Sequence, residues 1–308
     1  MRILVVGAGA TGGFYGGRLC EAACDVTFLV RGRRAEQIRE HGLQIIAPKG
    51  RTVLHPKLVT AEDLRTGRHD FDLILVTPKA YQLEPAIADF APAVGPHTMV
   101  LPILNGVRHM DVLDARFGAE HVIGGTVRIV SDLDTVGRIH QLTELDEFTY
   151  GERSGEITER IRAVDEVMKT ADFHAQLHPN IMAALWQKWW ILAGMGAICV
   201  LGRGSMGEIA AVPHGEEIAL RIIRECTDIA AANGYPAKPQ VLARETERMT
   251  ERGSALTSSM YRDMMKGSPV EVDHILGDFL DCAKGVDAPL LTAAYVQLKV
   301  YEAGRIRP

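Results

Sequence analysis

The first residues that could do chemistry form a glycine turn directly after a short apolar segment. Residues Arg2–Val6 are followed by the spacing G-x-G-x-x-G, and the next residues are typical of a helix. In such a unit the first glycine permits a tight turn, the second lets the backbone approach a pyrophosphate, and the third lets the helix pack on the strand. The helix N-terminus also offers unpaired N–H groups to an anion. This context favours a dinucleotide-binding turn over a glycine turn without a ligand. Its predicted binding residues are Gly7, Gly9, Ala10, Thr11 and Gly12.

The end of the second predicted strand indicates which dinucleotide binds. NAD-selective sites carry an Asp or Glu at this point, which holds the ribose 2′-hydroxyl. Here the strand Val26–Val30 ends at Arg31, with Arg33 and Arg34 close behind, and Asp25 lies at the opposite end. A guanidinium suits a 2′-phosphate through bidentate, charge-assisted hydrogen bonds. The sequence therefore favours NADP over NAD, with Arg31 as the phosphate ligand. A solvated, basic helix start is the alternative.

Polar side chains also follow the next two predicted strands. Lys79 comes after the apolar run Phe71–Val76, and Asn105 comes after the strand Thr98–Leu101. Ligands of a parallel sheet bind outside the carboxyl ends of its strands, so both side chains are candidates for the site. Asn105 followed by Gly106 is also compatible with a plain turn.

The second half of the chain contributes three further candidates, each with a structural alternative. Lys188 stands just before a very apolar helix, where its stem could pack while its ammonium reaches solvent. Ser259 lies in a Ser-Ser pair that could cap a helix. Glu271 could be an ordinary charge of a first helical turn, stabilised by the helix dipole.

The elements that position these residues alternate between strand and helix over the first half. We predict helices at 11–23, 32–41, 82–90 and 107–117, and a small hairpin from Leu43–Ala47 and Thr52–Leu54. This alternation predicts βαβ units and a Rossmann-type, doubly wound parallel sheet.

After His121 the pattern changes. Three short strands, at 122–130, 137–142 and 147–150, are expected to extend the sheet edge as a meander, followed by a helix at 156–169 and a strand at 173–177. Beyond residue 178 the signals are helical. The fold class is therefore α/β, with a Rossmann domain at 1–178 and an all-helical domain for substrate binding and dimerisation at 179–308.

Composition excludes several classes of protein. The formal net charge of −5 over 308 residues gives no support for general nucleic-acid binding. The five cysteines show no C-x-x-C spacing, so neither a metal site nor disulfides are predicted, and reduced thiols indicate the cytoplasm. The longest apolar stretch, Trp189–Leu201, is too short to span a bilayer and is predicted to be a buried helix.

Several segments, taken in order, resemble the ketopantoate reductase (2-dehydropantoate 2-reductase) family. They are G-A-G-A-T-G-G at 7–13, K-A-Y-Q at 79–82, L-N-G-V at 104–107, W-Q-K at 186–188, and S-S-M-Y-R-D at 258–263 with V-E-V-D at 270–273. The resemblance covers essentially the whole chain. It implies NADPH as cofactor and reduction of a 2-keto acid to a 2-hydroxy acid. For the type member this step makes pantoate for coenzyme A biosynthesis.

The resemblance also implies roles for the matching residues. Lys188 matches the catalytic lysine, whose ammonium stabilises and then protonates the alkoxide formed when hydride reaches a ketone carbon. Glu271 matches a glutamate that orients this lysine or the substrate hydroxyl. Asn105 resembles an asparagine that touches both cofactor and substrate, and Lys79 resembles a lysine near the cofactor phosphates or the substrate. The predicted substrate-binding residues are Asn105, Ser259 and Asn180.

The chain departs from the family pattern beside the catalytic lysine. Leu192 and Gly196 stand where asparagines are often found, and Leu104 stands where a glutamine often precedes the Asn-Gly pair. Because residues four apart share a helix face, an expected polar wall is apolar here. Reduction of a more apolar 2-keto acid, oxidation of a hydroxy acid, and a non-catalytic NADP-binding redox sensor stay open. A homodimer formed through the helical domain is also possible.

Overall fold

The computed structural model describes residues 1–67 and 69–306. The chain divides into two compact units, the first formed by 1–104 and 109–184 and the second by 105–108 and 185–308. The division falls inside the helix Ile181–Gly202. The domain boundary predicted between residues 178 and 179 lies just before this helix and stays a prediction.

The described residues contain two sheets built from short strands. The strands are β1 (Arg2–Val6), β2 (Asp25–Leu29), β3 (Leu43–Ala47), β4 (Gly50–Leu54), β5 (Lys57–Val59), β6 (Leu73–Val76), β7 (Met99–Pro102), β8 (Gly124–Leu133), β9 (Ile139–Gly151) and β10 (His174–Leu177). The first sheet has the order β5-β2-β1-β6-β7 and is parallel throughout. This order confirms the predicted doubly wound topology.

The helices connect these strands and then form the second unit. They are α1 (Ala10–Glu21), α2 (Gly32–His41), α3 (Ala61–Thr66), α4 (Leu83–Phe90), α5 (His109–Phe117), α6 (Glu159–Met168), α7 (Ile181–Gly202), α8 (Met206–Ala211), α9 (Gly215–Ala232), α10 (Pro239–Thr250), α11 (Ser259–Met265), α12 (Asp278–Asp281) and α13 (Pro289–Ile306). Short 3₁₀ turns lie at Ala80–Gln82 and Ala91–Ala93, and a π-helical turn lies at Asp273–Gly277.

Both faces of the first sheet are covered, which explains why its strands are apolar without interruption. Along β1, Ile3 and Val5 point into a core that includes α1 and α2, whereas Leu4 and Val6 point into a core that includes α3 and α4. All four side chains are buried. The two helix layers therefore leave only the ends of the strands accessible to a ligand.

Two short elements of the first unit, β5 and α3, were not predicted from the sequence. A signal for the helix is present, because Thr60 and Asp63 form a capping box in which each side chain bonds the other residue's backbone N–H. The strand β5 has only three residues and pairs with β2 at the edge of the sheet.

The prediction that the later strands extend the first sheet is wrong except at Val122, which forms a single parallel bridge to Val100 of β7. They form a second sheet, in which β9 pairs with β8, β10 and β3, and β3 pairs with β4. The two strands predicted at 137–142 and 147–150 are one strand, β9. Its irregularity lies opposite β8, where the partners of Ile129 and Ser131 are Asp146 and Gln141. The residues between Gln141 and Asp146, which include Thr143 and Glu144, form a bulge within a continuous ribbon rather than a turn.

The second unit is helical, as predicted. Its core is centred on tryptophans of α7, with Trp186 stacked on Tyr235 and Trp189 in an edge contact with Phe279. Helix α7 is 22 residues long and apolar enough to cross a membrane by length and composition, so the length argument against a membrane span is wrong. However, 67% of its apolar window is buried inside the protein, as in the core helix of a globular domain.

A buried carboxylate joins the second sheet to α6. Glu152 is 5% exposed, and it accepts hydrogen bonds from Arg160 at 2.7 and 2.8 Å and from Thr158 at 2.6 Å. Burial alone would raise the pKa of Glu152, but these hydrogen bonds outweigh it and lower the pKa. The ionised side chain therefore stabilises the fold.

We expect Glu152→Gln to lower the free energy of unfolding by about 1–3 kcal/mol at pH 7, because Arg160 loses its charged acceptor. The carboxylate's contribution is complete above the unfolded-state pKa of about 4.3 and disappears as the pH falls through the lower folded-state pKa. Urea unfolding of both proteins should thus show a difference at pH 7 that shrinks at acidic pH. Glu156→Gln, at an exposed position, is the control. A difference that does not depend on pH would contradict this account.

Candidate functional site

The glycine turn of the first unit has the backbone geometry that its sequence predicts. Gly7 adopts a φ of +96°, in the region that favours glycine, and its N–H bonds the carbonyl of Leu29 at 3.0 Å. Helix α1 then begins at Ala10, and Gly9, its N-cap residue, supplies no side chain to bond the first-turn N–H groups. These groups are therefore available to an anion at the carboxyl end of β1.

The other two glycines of the motif differ in the space around them. A Cβ atom at Gly12 would collide with the Thr77 hydroxyl and the Gly7 carbonyl, whereas a Cβ at Gly9 would meet nothing within 4 Å. The Thr77 hydroxyl donates to the Val6 carbonyl at 2.8 Å, which ties the ends of β6 and β1 together. Gly12 thus serves close packing, and the open space at Gly9 fits the approach of a pyrophosphate. The turn fits a dinucleotide.

The three arginines after β2 have different surroundings. Arg31, the N-cap residue of α2, bonds Asp89 through Nε at 2.7 Å and the Pro85 carbonyl through Nη2 at 2.9 Å. Arg33 is exposed and only approaches the Thr135 carbonyl, at 3.5 Å. The predicted phosphate ligand therefore lies at the strand end and already has an acidic neighbour.

Arg34 has a positioning role that the sequence did not indicate. Its Nε donates to the carbonyl of Ala8, inside the glycine turn, at 2.7 Å, and its Nη1 donates to the Gly137 carbonyl at 2.6 Å. Burial lowers the pKa of Arg34. The guanidinium thereby fastens the turn to the tip of the β8–β9 hairpin. No sequence pattern could show this, because backbone carbonyls exist at every residue.

Lys79 and Asn180 lie at the ends of other elements of the first unit. Lys79 is exposed, two residues after the Thr77 that bonds β1, and its backbone is extended. Asn180 is exposed, and its side-chain oxygen accepts from the Ala183 N–H at 3.0 Å, which makes it an N-cap of α7. Their roles toward cofactor and substrate stay predictions.

The second unit brings Asn105 and Glu271 together, although 166 positions separate them in sequence. The Asn105 carboxamide donates through Nδ2 to Glu271 Oε2 at 3.3 Å. Glu271 is 5% exposed, so it belongs to the interior of this unit. A buried carboxylate is costly without polar partners, and the carboxamide supplies one of them.

This pair is held by tight packing against α7, the helix that carries Lys188. Gly106 has a φ of +81°, and a Cβ there would lie 3.0 Å from the His274 carbonyl and 3.6 Å from Trp189. The Trp189 indole N–H donates to the Ile275 carbonyl at 3.1 Å, within the π-helical turn that follows Glu271. Lys188 is half-buried on α7, directly before this tryptophan. π-Helical turns of this kind occur often at functional sites.

The serine pair separates into a cap and a candidate ligand. The Ser258 hydroxyl accepts from the Tyr261 N–H at 3.0 Å, so this residue caps α11. Ser259 is the first residue of the helix and is half-buried. The capping alternative thus holds for Ser258 and leaves Ser259 as the predicted substrate ligand.

Met260 packs against the apolar face of α7 at Gly196. A Cβ at Gly196 would collide with the methyl group of Met260, which follows Ser259 on α11. Leu192, one turn earlier on α7, is half-buried. An asparagine side chain at position 196 therefore cannot be accommodated unless Met260 moves.

The two glycines of the turn provide a matched test. Gly9 has an extended backbone with φ of −76°, so Gly9→Ala should change the free energy of unfolding by less than about 0.5 kcal/mol. Its added methyl group should nevertheless weaken dinucleotide binding. Gly12→Ala should destabilise the protein by about 1–3 kcal/mol, because the methyl group overpacks the contact with Thr77. Thermal unfolding and fluorescence titration with NADPH measure the two effects. Unchanged NADPH affinity in Gly9→Ala would remove the turn from the binding site.

Comparisons with known proteins match the chain over nearly its full length. The family model described as ketopantoate reductase PanE/ApbA matches residues 3–155, and the corresponding C-terminal model matches residues 180–302. The uncharacterized oxidoreductase YkpB of Bacillus subtilis is 38% identical over 98% of this chain and 99% of its own. A 2-dehydropantoate 2-reductase of Mesorhizobium japonicum is 28% identical over 95% of this chain and 94% of its own.

Solved structures show the same fold. A 2-dehydropantoate 2-reductase from Geobacter metallireducens superposes with a TM-score of 0.87, at 26% identity, over 97% of this chain and 99% of its own. A D-mandelate dehydrogenase, solved with NADH and anilino(oxo)acetate, also superposes with a TM-score of 0.87. It is 22% identical and covers 99% of both chains, so this likeness concerns the fold alone.

Proposed function

The chain belongs to the ketopantoate reductase family, and on that premise we propose that it reduces a 2-keto acid to a 2-hydroxy acid with NADPH. The proposed substrate is 2-dehydropantoate, which would place the enzyme in cytoplasmic pantothenate and coenzyme A biosynthesis. The observation that carries the proposal is the buried Glu271 carboxylate, held by Asn105 beside the helix that bears Lys188.

NADPH supplies the hydride that reduces the ketone carbon. The residues that would hold it are Gly7, Gly9, Ala10, Thr11, Gly12, Arg31, Lys79 and Asn105. The first-turn N–H groups of α1 are suited to the pyrophosphate, and the guanidinium after β2 is suited to the 2′-phosphate. Asn105, fixed by its bond to Glu271, is the residue proposed to touch both cofactor and substrate.

Lys188 is the proposed proton donor. Negative charge develops on the ketone oxygen as the carbon is reduced, and an ammonium stabilises that charge before it gives up a proton. Glu271 is the residue proposed to orient the ammonium or the substrate hydroxyl. Ser259 and Asn180 are proposed to bind the substrate, with the serine hydroxyl suited to its carboxylate.

A more apolar 2-keto acid is the second candidate substrate. The observation that favours it is the contact of Met260 with Gly196, together with Leu192 on the preceding turn of α7. A site that offers methyl groups where a hydroxyl needs partners leaves that hydroxyl unsatisfied and discriminates against it. A substrate with a hydrocarbon side chain avoids this cost. Dimerisation through the helical domain stays a prediction.

We expect Lys188→Ala to lower kcat by about a hundredfold or more, the usual range for loss of a positioned proton donor. NADPH should still bind, since the predicted cofactor contacts do not include this side chain. Steady-state oxidation of NADPH gives the first quantity, and fluorescence titration gives the second. Lys238→Ala, at an exposed position on the same unit, is the control. A decrease of only a few-fold would contradict the assignment.

The substrate itself is tested by following NADPH oxidation with 2-dehydropantoate beside a panel of aliphatic and aryl 2-keto acids. Highest kcat/KM with 2-dehydropantoate would support the first candidate, and highest kcat/KM with a hydrocarbon side chain would support the second. NADPH binding without turnover on any acid would contradict both and favour a redox sensor. Turnover only in the direction of alcohol oxidation would assign a dehydrogenase.

A further inference from the structure

An ion pair connects the segment that follows β2 to helix α4. Arg31, two residues after the end of β2, places both Nε and Nη2 against Asp89 Oδ2, at 2.7 and 2.6 Å. Its Nη2 also donates to the Pro85 carbonyl of the same helix, α4. The guanidinium is thus held by two acceptors, on a helix that begins more than fifty positions later in the chain.

The sheet order shows where this ion pair lies. β1 is the strand between β2 and β6, and α4 follows β6. Arg31 lies at the carboxyl end of β2, beside the end of β1 where the glycine turn begins. It reaches α4, which packs on the sheet face that includes Leu4 and Val6 of β1. In doubly wound sheets this edge, at the point where the strand order reverses, is where dinucleotides bind. The ion pair therefore belongs to the cofactor region of the first unit.

The two partners differ in exposure. The Arg31 side chain is 58% exposed, whereas the Asp89 side chain is only 17% exposed. The carboxylate is thus fixed in the helix layer, while the guanidinium remains accessible. Across the described residues, 1–67 and 69–306, Arg31 Nη1 makes no hydrogen bond, so this nitrogen can serve a further acceptor. A phosphate on Arg31 must share the guanidinium with Asp89.

We propose that Asp89 is a cofactor-selectivity residue, which weakens binding of the 2′-phosphate to Arg31 and so lowers the preference for NADPH over NADH. The proposal rests on the proposed function, because it requires a dinucleotide at the glycine turn. The physical reason is that NADPH and NADH differ only in the 2′-phosphate. The negative charge of Asp89 repels that phosphate and competes with it for the same cation, but it has no such effect on a hydroxyl.

Two other roles for Asp89 make different predictions. If the ion pair only linked α2 to α4, its removal would change stability and leave the ratio of the two affinities unchanged. If Asp89 held Arg31 in the orientation that a phosphate requires, removal of Asp89 would weaken the binding of NADPH. The sign of the change in selectivity therefore distinguishes the three roles.

The experiment measures the Kd of NADPH and of NADH by fluorescence titration, without keto acid, for the wild-type protein and Asp89→Asn. Loss of the charge should lower the Kd of NADPH by about threefold to tenfold at low salt. The Kd of NADH should stay within about twofold of the wild-type value. The gain should decrease at high ionic strength. In an Arg31→Gln background, Asp89→Asn should change the ratio less than in the wild-type protein, because competition for the guanidinium is gone and only the direct repulsion of the phosphate remains.

Asp172→Asn is the matched control, since it removes the same charge from an exposed ion pair with Lys49. Asp89→Ser serves as a second neutral variant if Asp89→Asn unfolds. An unchanged ratio, or weaker NADPH binding, in the neutral variants would overturn the proposal. If the wild-type protein bound neither nucleotide, the proposed function would fail instead.

Discussion

Close packing of α1 against the ends of two parallel strands is the constraint on which the cofactor region depends. No side chain fits at Gly12, because the Thr77 hydroxyl and the Gly7 carbonyl occupy that space. The helix can therefore begin directly at the end of β1, with its unpaired N–H groups at the sheet edge. Arg34 then fastens the turn through the carbonyl of Ala8. The absence of a Cβ atom at Gly12 thus allows the helix N-terminus to lie where it can bind an anion.

In the second unit the main constraint is the burial of a carboxylate. Glu271 is almost inaccessible to solvent, and such a group is stable only with polar partners. Asn105 provides one, and it belongs to a four-residue segment that packs with this unit although it follows a strand of the first. Gly106 and Trp189 fix that segment against the π-helical turn. Rigid placement of this kind suits the proton transfer that we propose for this unit.

The selectivity that we propose for cofactor and for substrate depends on neighbours of the motif residues rather than on the motif residues themselves. Arg31 carries the cation that suits a 2′-phosphate, but Asp89, from another helix, changes how strongly that cation attracts an anion. Likewise, the face of α7 beyond Lys188 is shaped by Met260, which lies on α11. Both effects join residues that are far apart in the chain, and both act over a few ångströms.

The amino-acid sequence by itself determined the parallel sheet, the glycine turn and the helical second half, because these follow from local periodicity and from the conformational freedom of glycine. The capping box of α3 was also present at this level. Only the tertiary structure decided that β8–β10 form a second sheet, that Arg34 serves the turn, and that Asp89 faces Arg31. Strand partners and ion pairs depend on which surfaces come into contact when the chain folds. A local pattern of residues does not specify these long-range contacts.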